Sequence, residues 1–108
     1  MAVTIRVLGQ AAPAAGVETA LYTCATTSAV ISTLNICNFG AAPDTFTVRV
    51  NVGGAGDANK QLLFYLAPLP ANTTVTITIG ITIETTYVIN VTSTNGTSSF
   101  NLFGQENS

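Results

Sequence analysis

Apolar and polar residues alternate through most of this chain. The alternation is clearest in residues 74–83, where Thr and aliphatic side chains follow one another, and in residues 45–52, where Phe46 and three valines alternate with polar residues. A period of two predicts antiparallel strands with one face in a core and the other in water. No window has the apolar spacing of an amphipathic helix, so we expect helix to be minor or absent.

Clusters of Gly, Pro, Asn, Asp and Ser divide the chain into about eight β-rich runs. We predict strands at residues 3–8, 17–24, 29–38, 45–52, 61–66, 73–83, 87–94 and 97–103. Gly80 is expected to bend the sixth strand, and Pro68 and Pro70 to end the fifth. Asn95-Gly96 predicts a tight type I′ hairpin between the last two strands.

These elements predict one all-β domain over residues 1–108, a single antiparallel β-sandwich of jelly-roll or immunoglobulin-like topology. Residues 1–16 are a candidate N-terminal arm, because residues 9–16 contain Gly9, Pro13 and Gly16 and resist regular structure. No apolar stretch is long enough to span a membrane, and no signal peptide is apparent. We therefore expect synthesis in a cytoplasm and no membrane partner.

Charge is scarce, and this removes most catalytic chemistry. Only 7% of the residues are charged, and the chain contains no His. Nothing in the spacing of the five acids forces any two together, so we expect them at solvent-exposed turns and strand ends: Glu18, Asp44, Asp57, Glu84 and Glu106. We therefore predict no enzyme and no catalytic, cofactor-binding or metal-binding residues.

The balance of charges also bears on partners. The net charge is −2, and the three basic residues, Arg6, Arg49 and Lys60, are scattered. This argues against nucleic-acid binding, which needs clustered cations. A weakly charged surface does little to keep copies apart, so self-association is expected to cost little.

The cysteines and the glycine-rich segment have structural interpretations. Cys24 and Cys37 are expected to be reduced core residues, with a disulfide or a metal role as the alternatives weighed. The segment Gly53-Gly54-Ala55-Gly56-Asp57 lacks the Lys and Ser/Thr of a phosphate loop and the ligands of a calcium loop. We interpret it as a mobile hairpin tip, suited to contact with a neighbouring subunit.

Threonine content raises two further possibilities. Three sequons, at Asn72, Asn90 and Asn95, are attributed to chance in a Thr-rich chain. A regular Thr array could bind ice. The sustained Thr-x-Thr spacing is confined to one strand, however, which favours ordinary strand preference as the reason for the Thr content.

Several segments, taken in order, form a pattern that spans nearly the whole chain: Val7-Leu8-Gly9-Gln10, Thr19-Ala20-Leu21-Tyr22-Thr23, residues 29–38 and residues 99–106, with residues 45–50 and Gly80-Ile81-Thr82 between them. In this pattern the chain resembles a known family, the small all-β virion proteins of tailed bacteriophages that are frequent in cyanophages. The stretch Leu62-Leu63-Phe64-Tyr65 departs from the family pattern, which is more polar there.

The resemblance implies a non-enzymatic virion structural protein, above all a capsid cement or decoration protein. Such a protein would bind the major capsid protein on the capsid surface as a homo-oligomer and stabilise the head, with residues 1–8 and 53–60 as candidate contacts. Two alternatives remain open: an accessory protein of a tail, baseplate or fibre, and a carbohydrate-binding module. The second would rely on Tyr22, Tyr65 and Tyr87, because there is no Trp. No small-molecule substrate is expected.

Overall fold

Eight strands account for most of the chain in the computed structural model, which describes residues 3–108. The strands are β1 (Val3–Ala11), β2 (Thr19–Thr23), β3 (Ser28–Asn38), β4 (Asp44–Asn51), β5 (Leu62–Leu69), β6 (Thr73–Glu84), β7 (Val88–Ser93) and β8 (Ser98–Asn107). Two single 3₁₀ turns, Val52–Gly54 and Asn59–Gln61, lie between β4 and β5. The predictions of about eight strands and minor helix are confirmed.

The strands form two four-stranded antiparallel sheets. Sheet A has the order β1-β8-β3-β6, and sheet B has the order β2-β7-β4-β5. The first strand therefore pairs with the eighth, the second with the seventh, the third with the sixth and the fourth with the fifth. This nested pairing is the jelly roll, and it distinguishes between the two sandwich topologies that the sequence left open.

The core lies between the two sheets and is built from the apolar positions of each alternation. Its largest fully buried side chains include Ile31 and Leu34 of β3 and Phe100 of β8. Phe46 of β4 packs edge-on against Phe100, with 6.4 Å between ring centroids, and joins the two sheets. Burying one such aromatic side chain stabilises the fold by about 1.5–3 kcal/mol.

Strand β6 shows the predicted bend. Gly80 has a φ of 63°, which the absence of a side chain permits, and two residues of β6 there face the single Ser32 of β3. On either side of the bulge, Thr residues face outwards and are exposed. The inward aliphatic side chains are mostly half-buried rather than dry, because β6 is the edge strand of its sheet.

The predicted hairpin at Asn95-Gly96 is wrong. Strand β7 belongs to sheet B and β8 to sheet A, so the connection crosses the sandwich instead of joining paired neighbours. Gly96 does adopt a positive φ of 72°, but Asn95 does not, so this is no type I′ turn. The local turn preference was correct, whereas the partners of the two strands are decided by the core.

Other boundaries also differ from the predictions. Strand β1 continues to Ala11, through Gly9, and β5 continues through Pro68 to Leu69. The proline is tolerated because β5 lies at the edge of sheet B and its missing N–H breaks no central ladder. Val52, predicted on the buried face of β4, lies in a 3₁₀ turn and is exposed. Residues 1 and 2 of the candidate arm lie outside the described residues.

Candidate interaction surfaces

The sandwich has two ends that differ in construction. Because neighbouring strands run in opposite directions, alternate connections gather at the same end. The Asp44 end comprises the connections 12–18, 39–43, 70–72 and 94–97. The Asp57 end comprises the connections 24–27, 52–61 and 85–87, together with the first described residue of β1 and the last of β8.

A buried carboxylate organises the Asp44 end. Both Oδ atoms of Asp44 accept hydrogen bonds: Oδ2 from the hydroxyls of Ser93 and Ser98, and Oδ1 from the backbone N–H groups of Thr45 at 2.8 Å and Asn95 at 2.9 Å. Asp44 and the two serines are almost completely buried. The expectation of five exposed acids is therefore wrong for Asp44. Three of its four donors, Ser93, Asn95 and Ser98, lie 49 to 54 positions further along the chain.

These hydrogen bonds also determine the charge state of Asp44. Burial alone raises the pKa of this carboxyl, but the bonds from Ser93, Ser98, Asn95 and Thr45 outweigh burial and hold the pKa below the usual value of 3.8. Asp44 is therefore ionised at neutral pH, with its acceptor atoms occupied by groups of the same chain. Its role in the fold is structural.

Asn38 joins two more connections at the same end. Its Nδ2 donates to the carbonyl oxygens of Ala42 at 2.9 Å, Leu69 at 3.1 Å and Pro70 at 3.3 Å, and its Oδ1 accepts from the Gly40 N–H at 3.0 Å. The side chain is fully buried. The Asp44 end therefore uses its buried polar groups to connect its own loops and offers little to a ligand.

The Asp57 end contains the glycine-rich segment, which connects the paired strands β4 and β5 as the prediction of a hairpin tip requires. Asn51 Nδ2 donates to the Ala55 carbonyl oxygen at 2.8 Å and to Asp57 Oδ1 at 3.0 Å. Gln61 Nε2 donates to the Gly56 carbonyl oxygen at 2.8 Å. Side chains at both ends of the segment therefore hold its backbone.

A small charged cluster lies beside this loop on the outer face of sheet B. Arg49 Nε is 3.7 Å from Asp57 Oδ2 and 3.9 Å from Glu18 Oε1. The hydrogen bond between the two carboxyl groups raises the pKa of Glu18 and lowers that of Asp57, while Arg49 favours the ionised form of both. The fold therefore brings together two acids that nothing in their spacing forces to meet. The cluster is partly exposed, so its contribution to stability is small.

A second polar cluster anchors β1 to the sandwich. The Tyr22 hydroxyl donates to Glu106 Oε2 at 2.6 Å, and Arg6 Nη1 lies 3.3 Å from Glu106 Oε1. Burial raises the pKa of Tyr22, and the bond to Glu106 raises it further, so the phenol stays protonated. One residue from each of β1, β2 and β8 meets here, and the charges of Arg6 and Glu106 offset each other.

An apolar face remains exposed on the outer side of sheet A, near the Asp57 end. Val3, Ile5 and Val7 alternate along β1 and are 56%, 80% and 45% exposed. Phe103 lies directly opposite Val7 on β8 and is 37% exposed. With the half-buried Val30 of β3, these side chains form the apolar face, in which Gln105 of β8 lies between Ile5 and Val30. The face contains a shallow depression of about 260 Å³, which Gln105 and Ser32 also line. Contiguous exposed apolar side chains of this kind mark interaction sites.

The other half of the same outer face is polar. It consists of exposed Thr side chains on β6 and hydroxyl or amide side chains on β3 and β8: Thr74, Thr76, Thr78, Thr82, Thr33, Asn35, Ser99 and Asn101. Asn35 Nδ2 donates to Thr76 Oγ1 at 3.0 Å, so hydroxyls of this half bond to neighbouring strands. The Thr row does not continue onto β3 as a regular array.

The remaining residues singled out from the sequence do not assemble into a site. Cys24 is buried and Cys37 is half-buried, and both are free thiols. Within residues 3–108, no three His, Cys, Asp or Glu side chains lie together as a metal site would need. No helix in this part of the chain is long and apolar enough to cross a membrane.

The residues considered for sugar binding or glycosylation are dispersed. Of the three tyrosines, Tyr65 is 64% exposed, whereas Tyr22 is buried and Tyr87 half-buried. They therefore form no aromatic platform. Of the sequon residues, Asn90 donates to Asn51 Oδ1 and Asn95 to the Pro43 carbonyl oxygen.

Comparison with known proteins adds two similar folds. No protein-family model and no curated protein matches the sequence. A chain from the structure of the infectious bursal disease virus Gx strain is 14% identical over 97% of this chain, with a TM-score of 0.47, and this chain spans 31% of its length. A chain from the capsid of Ralstonia phage GP4 is 19% identical over 99% of this chain and 85% of its own length, with a TM-score of 0.48.

Proposed function

We propose that this chain is a non-enzymatic structural protein of a phage virion, a capsid cement or decoration protein. In this role it binds the major capsid protein at the capsid surface as a homo-oligomer and stabilises the head. The observation that carries the proposal is the apolar face of Val3, Ile5, Val7 and Phe103, which stays uncovered on the jelly roll.

The apolar face fits a permanent protein partner. Exposed aliphatic and aromatic side chains that lie together lose their contact with water when a partner covers them, at about 25 cal/mol for each Å² removed. The ion pair of Arg6 and Glu106 beside the face is already formed, so no unpaired charge there has to be desolvated. A weak contact of this size becomes firm when many copies bind one repeating shell.

The sequence resemblance and the fold support the same class of function. The segments that resemble phage virion proteins include the Val7–Gln10 stretch of β1 and the 99–106 stretch of β8, which contribute Val7 and Phe103 to the apolar face. Jelly rolls occur in viral capsid domains and also in lectins. The scattered tyrosines favour the former, because sugar binding on a sandwich needs aromatic side chains that lie together and face solvent.

Quantitative mass spectrometry of purified virions and of heads separated from their tails tests the proposal. We expect the protein to remain with the heads, at a copy number on the order of hundreds, as binding to a repeating shell requires. If it is absent from heads and present at about a dozen copies with the tails, the capsid role is wrong and the tail accessory role is correct. A protein absent from both fractions would contradict any virion role.

A further inference from the structure

The four edge strands of the sandwich differ in how well they are protected against pairing with another strand. Strand β2 has only five residues, and β5 contains Pro68 and two register shifts. Strand β6 is bulged at Gly80 and presents Thr on its outer face. Short length, proline, bulges and polar faces all discourage strand addition.

Strand β1 has none of these protections in its first half. Its register with β8 is regular from Val3 to Val7, and the shift comes only after Val7. All five residues of this half are exposed, Glu, Asp, Lys and Pro are absent from it, and its one charged residue, Arg6, is paired with Glu106. The backbone groups on the side away from β8 have no strand beside them among the described residues. This edge can therefore accept a further strand.

The sequence of this half-strand is complementary to itself. In Val3-Thr4-Ile5-Arg6-Val7, every second residue is apolar, and the pattern of apolar and polar positions is symmetric about Ile5. Two antiparallel copies centred on Ile5 place Ile5 opposite Ile5 and Val3 opposite Val7, all on one face. Apolar cross-strand pairs of this kind stabilise a sheet.

Charge selects the same register. Centred on Ile5, Arg6 of one copy faces Thr4 of the other, and no like charges are opposed. A pairing centred on Arg6 would set two guanidinium groups directly opposite each other, which is unfavourable. A net charge of −2 gives little repulsion between whole copies.

We propose that β1 pairs antiparallel with β1 of a second copy across a two-fold axis at Ile5, which joins the two A sheets into one eight-stranded sheet. Such an axis is perpendicular to the sheet, so the apolar faces of both copies lie on the same side. The dimer leaves these faces open and doubles their area. This dimer is the homo-oligomer of the proposed function. Its pairing is argued from β1 alone, and it rests on the proposed function only for its place in a virion.

Sedimentation velocity of the full chain over a concentration series provides the first test. We expect a reversible monomer–dimer equilibrium for the wild type. Ile5→Lys should weaken dimerisation by about a hundredfold, because it removes two apolar contacts and opposes two ammonium groups. Ile5 is 80% exposed, so at a concentration where the wild type is monomeric the thermal unfolding midpoint should stay the same. The matched control is Thr78→Lys on β6, the other edge of the same sheet, which should leave dimerisation unchanged.

A charge swap tests the register itself. Ile5→Glu alone should also be monomeric, whereas an equimolar mixture of Ile5→Lys and Ile5→Glu should form a heterodimer, because only the two-fold pairing places position 5 opposite itself. A mixture that stays monomeric, a wild type that is monomeric at every concentration, or an Ile5→Lys variant that dimerises like the wild type would overturn the proposal. These results are independent of where the protein is found in virions, so either proposal can fail alone.

Discussion

The two ends of this sandwich each contain a carboxylate, and the two differ in burial: Asp44 is buried, whereas Asp57 is exposed. At the Asp44 end, the carboxylate is 2% exposed and accepts four hydrogen bonds from three strands and a turn. At the Asp57 end, the carboxylate of Asp57 lies at the surface beside Arg49 and Glu18. At the Asp44 end, the buried polar groups bond to groups of the same chain. At the Asp57 end, polar loops and the apolar face lie near solvent.

This difference predicts that stability and partner binding depend on different parts of the molecule. Changes at the Asp44 end should alter the free energy of unfolding, and changes at the apolar face should alter partner binding with little effect on unfolding. Exposed apolar residues do occur at the Asp44 end, such as Phe39, but singly, which is ordinary for a protein surface.

The largest effect is expected from removing the buried carboxylate. Asp44→Ala should lower the free energy of unfolding by about 3–5 kcal/mol, because two buried hydroxyls and two backbone N–H groups lose their acceptor. Asp57→Ala, the matched change at the other end, should have a far smaller effect. Urea unfolding followed by circular dichroism measures both. Equal losses for the two variants would contradict the contrast between the ends.

Acid should selectively weaken the Asp44 end. Because the pKa of folded Asp44 lies below the unfolded value of about 3.8, its contribution to stability is present above the unfolded value and is lost as the pH falls through the folded pKa. Asp44→Asn should remove this part of the acid dependence. Unfolding curves recorded between pH 5 and pH 2, about the range in which the group titrates, compare the two proteins. Parallel pH profiles for wild type and variant would argue against an ionised Asp44.

Backbone packing supplies an intermediate effect. Gly96 has a φ of 72°, and a Cβ atom there would lie 2.7 Å from the backbone nitrogen of Ala15, so Gly96→Ala should cost about 2–3 kcal/mol. In the Asp57-end loop, Gly56→Ala meets nothing within 4 Å and should change stability by less than about 0.5 kcal/mol. Thermal unfolding of both variants measures the difference. A larger loss of stability for Gly56→Ala than for Gly96→Ala would contradict the expectation that the Asp44 end contributes more to the free energy of unfolding.

A change in the apolar face should affect binding most and stability least. Phe103→Thr removes the aromatic centre of the apolar face and should weaken binding to isolated capsid shells about tenfold, with little loss of folding. Phe39→Thr changes an exposed phenylalanine at the Asp44 end and serves as the matched control. Co-sedimentation with shells lacking the protein measures both. If Phe39→Thr reduces binding more than Phe103→Thr, the wrong end has been assigned to the partner.

Local pattern was sufficient for the strands but not for their partners. Alternation located all eight strands, and Gly80 marked the bulge, because both depend on neighbouring residues. Asn95-Gly96 predicted a turn correctly and a hairpin wrongly, since the choice between sheets depends on which core positions the strands fill. Strand β5 continues through Pro68 because it lies at an edge, and edge position is not visible in the sequence.

The carboxylate environments were also beyond local reasoning. Ser93 lies 49 residues from Asp44, and the meeting of Glu18 with Asp57 likewise depends on the folded chain. The apolar face has a clearer sequence signal, because Val3, Ile5 and Val7 alternate. Whether that stripe faces the core or solvent depends on the bulge after Val7, which turns Leu8 inwards instead.

Cryo-electron microscopy of the virion head shows directly which surface of the protein contacts the shell. We expect jelly-roll density on the capsid surface, with the β1–β8 apolar face against the major capsid protein and the Asp44 end away from it. A head without this density, or density in which the apolar face points to solvent while the Asp44 end contacts the shell, would overturn the proposed capsid role.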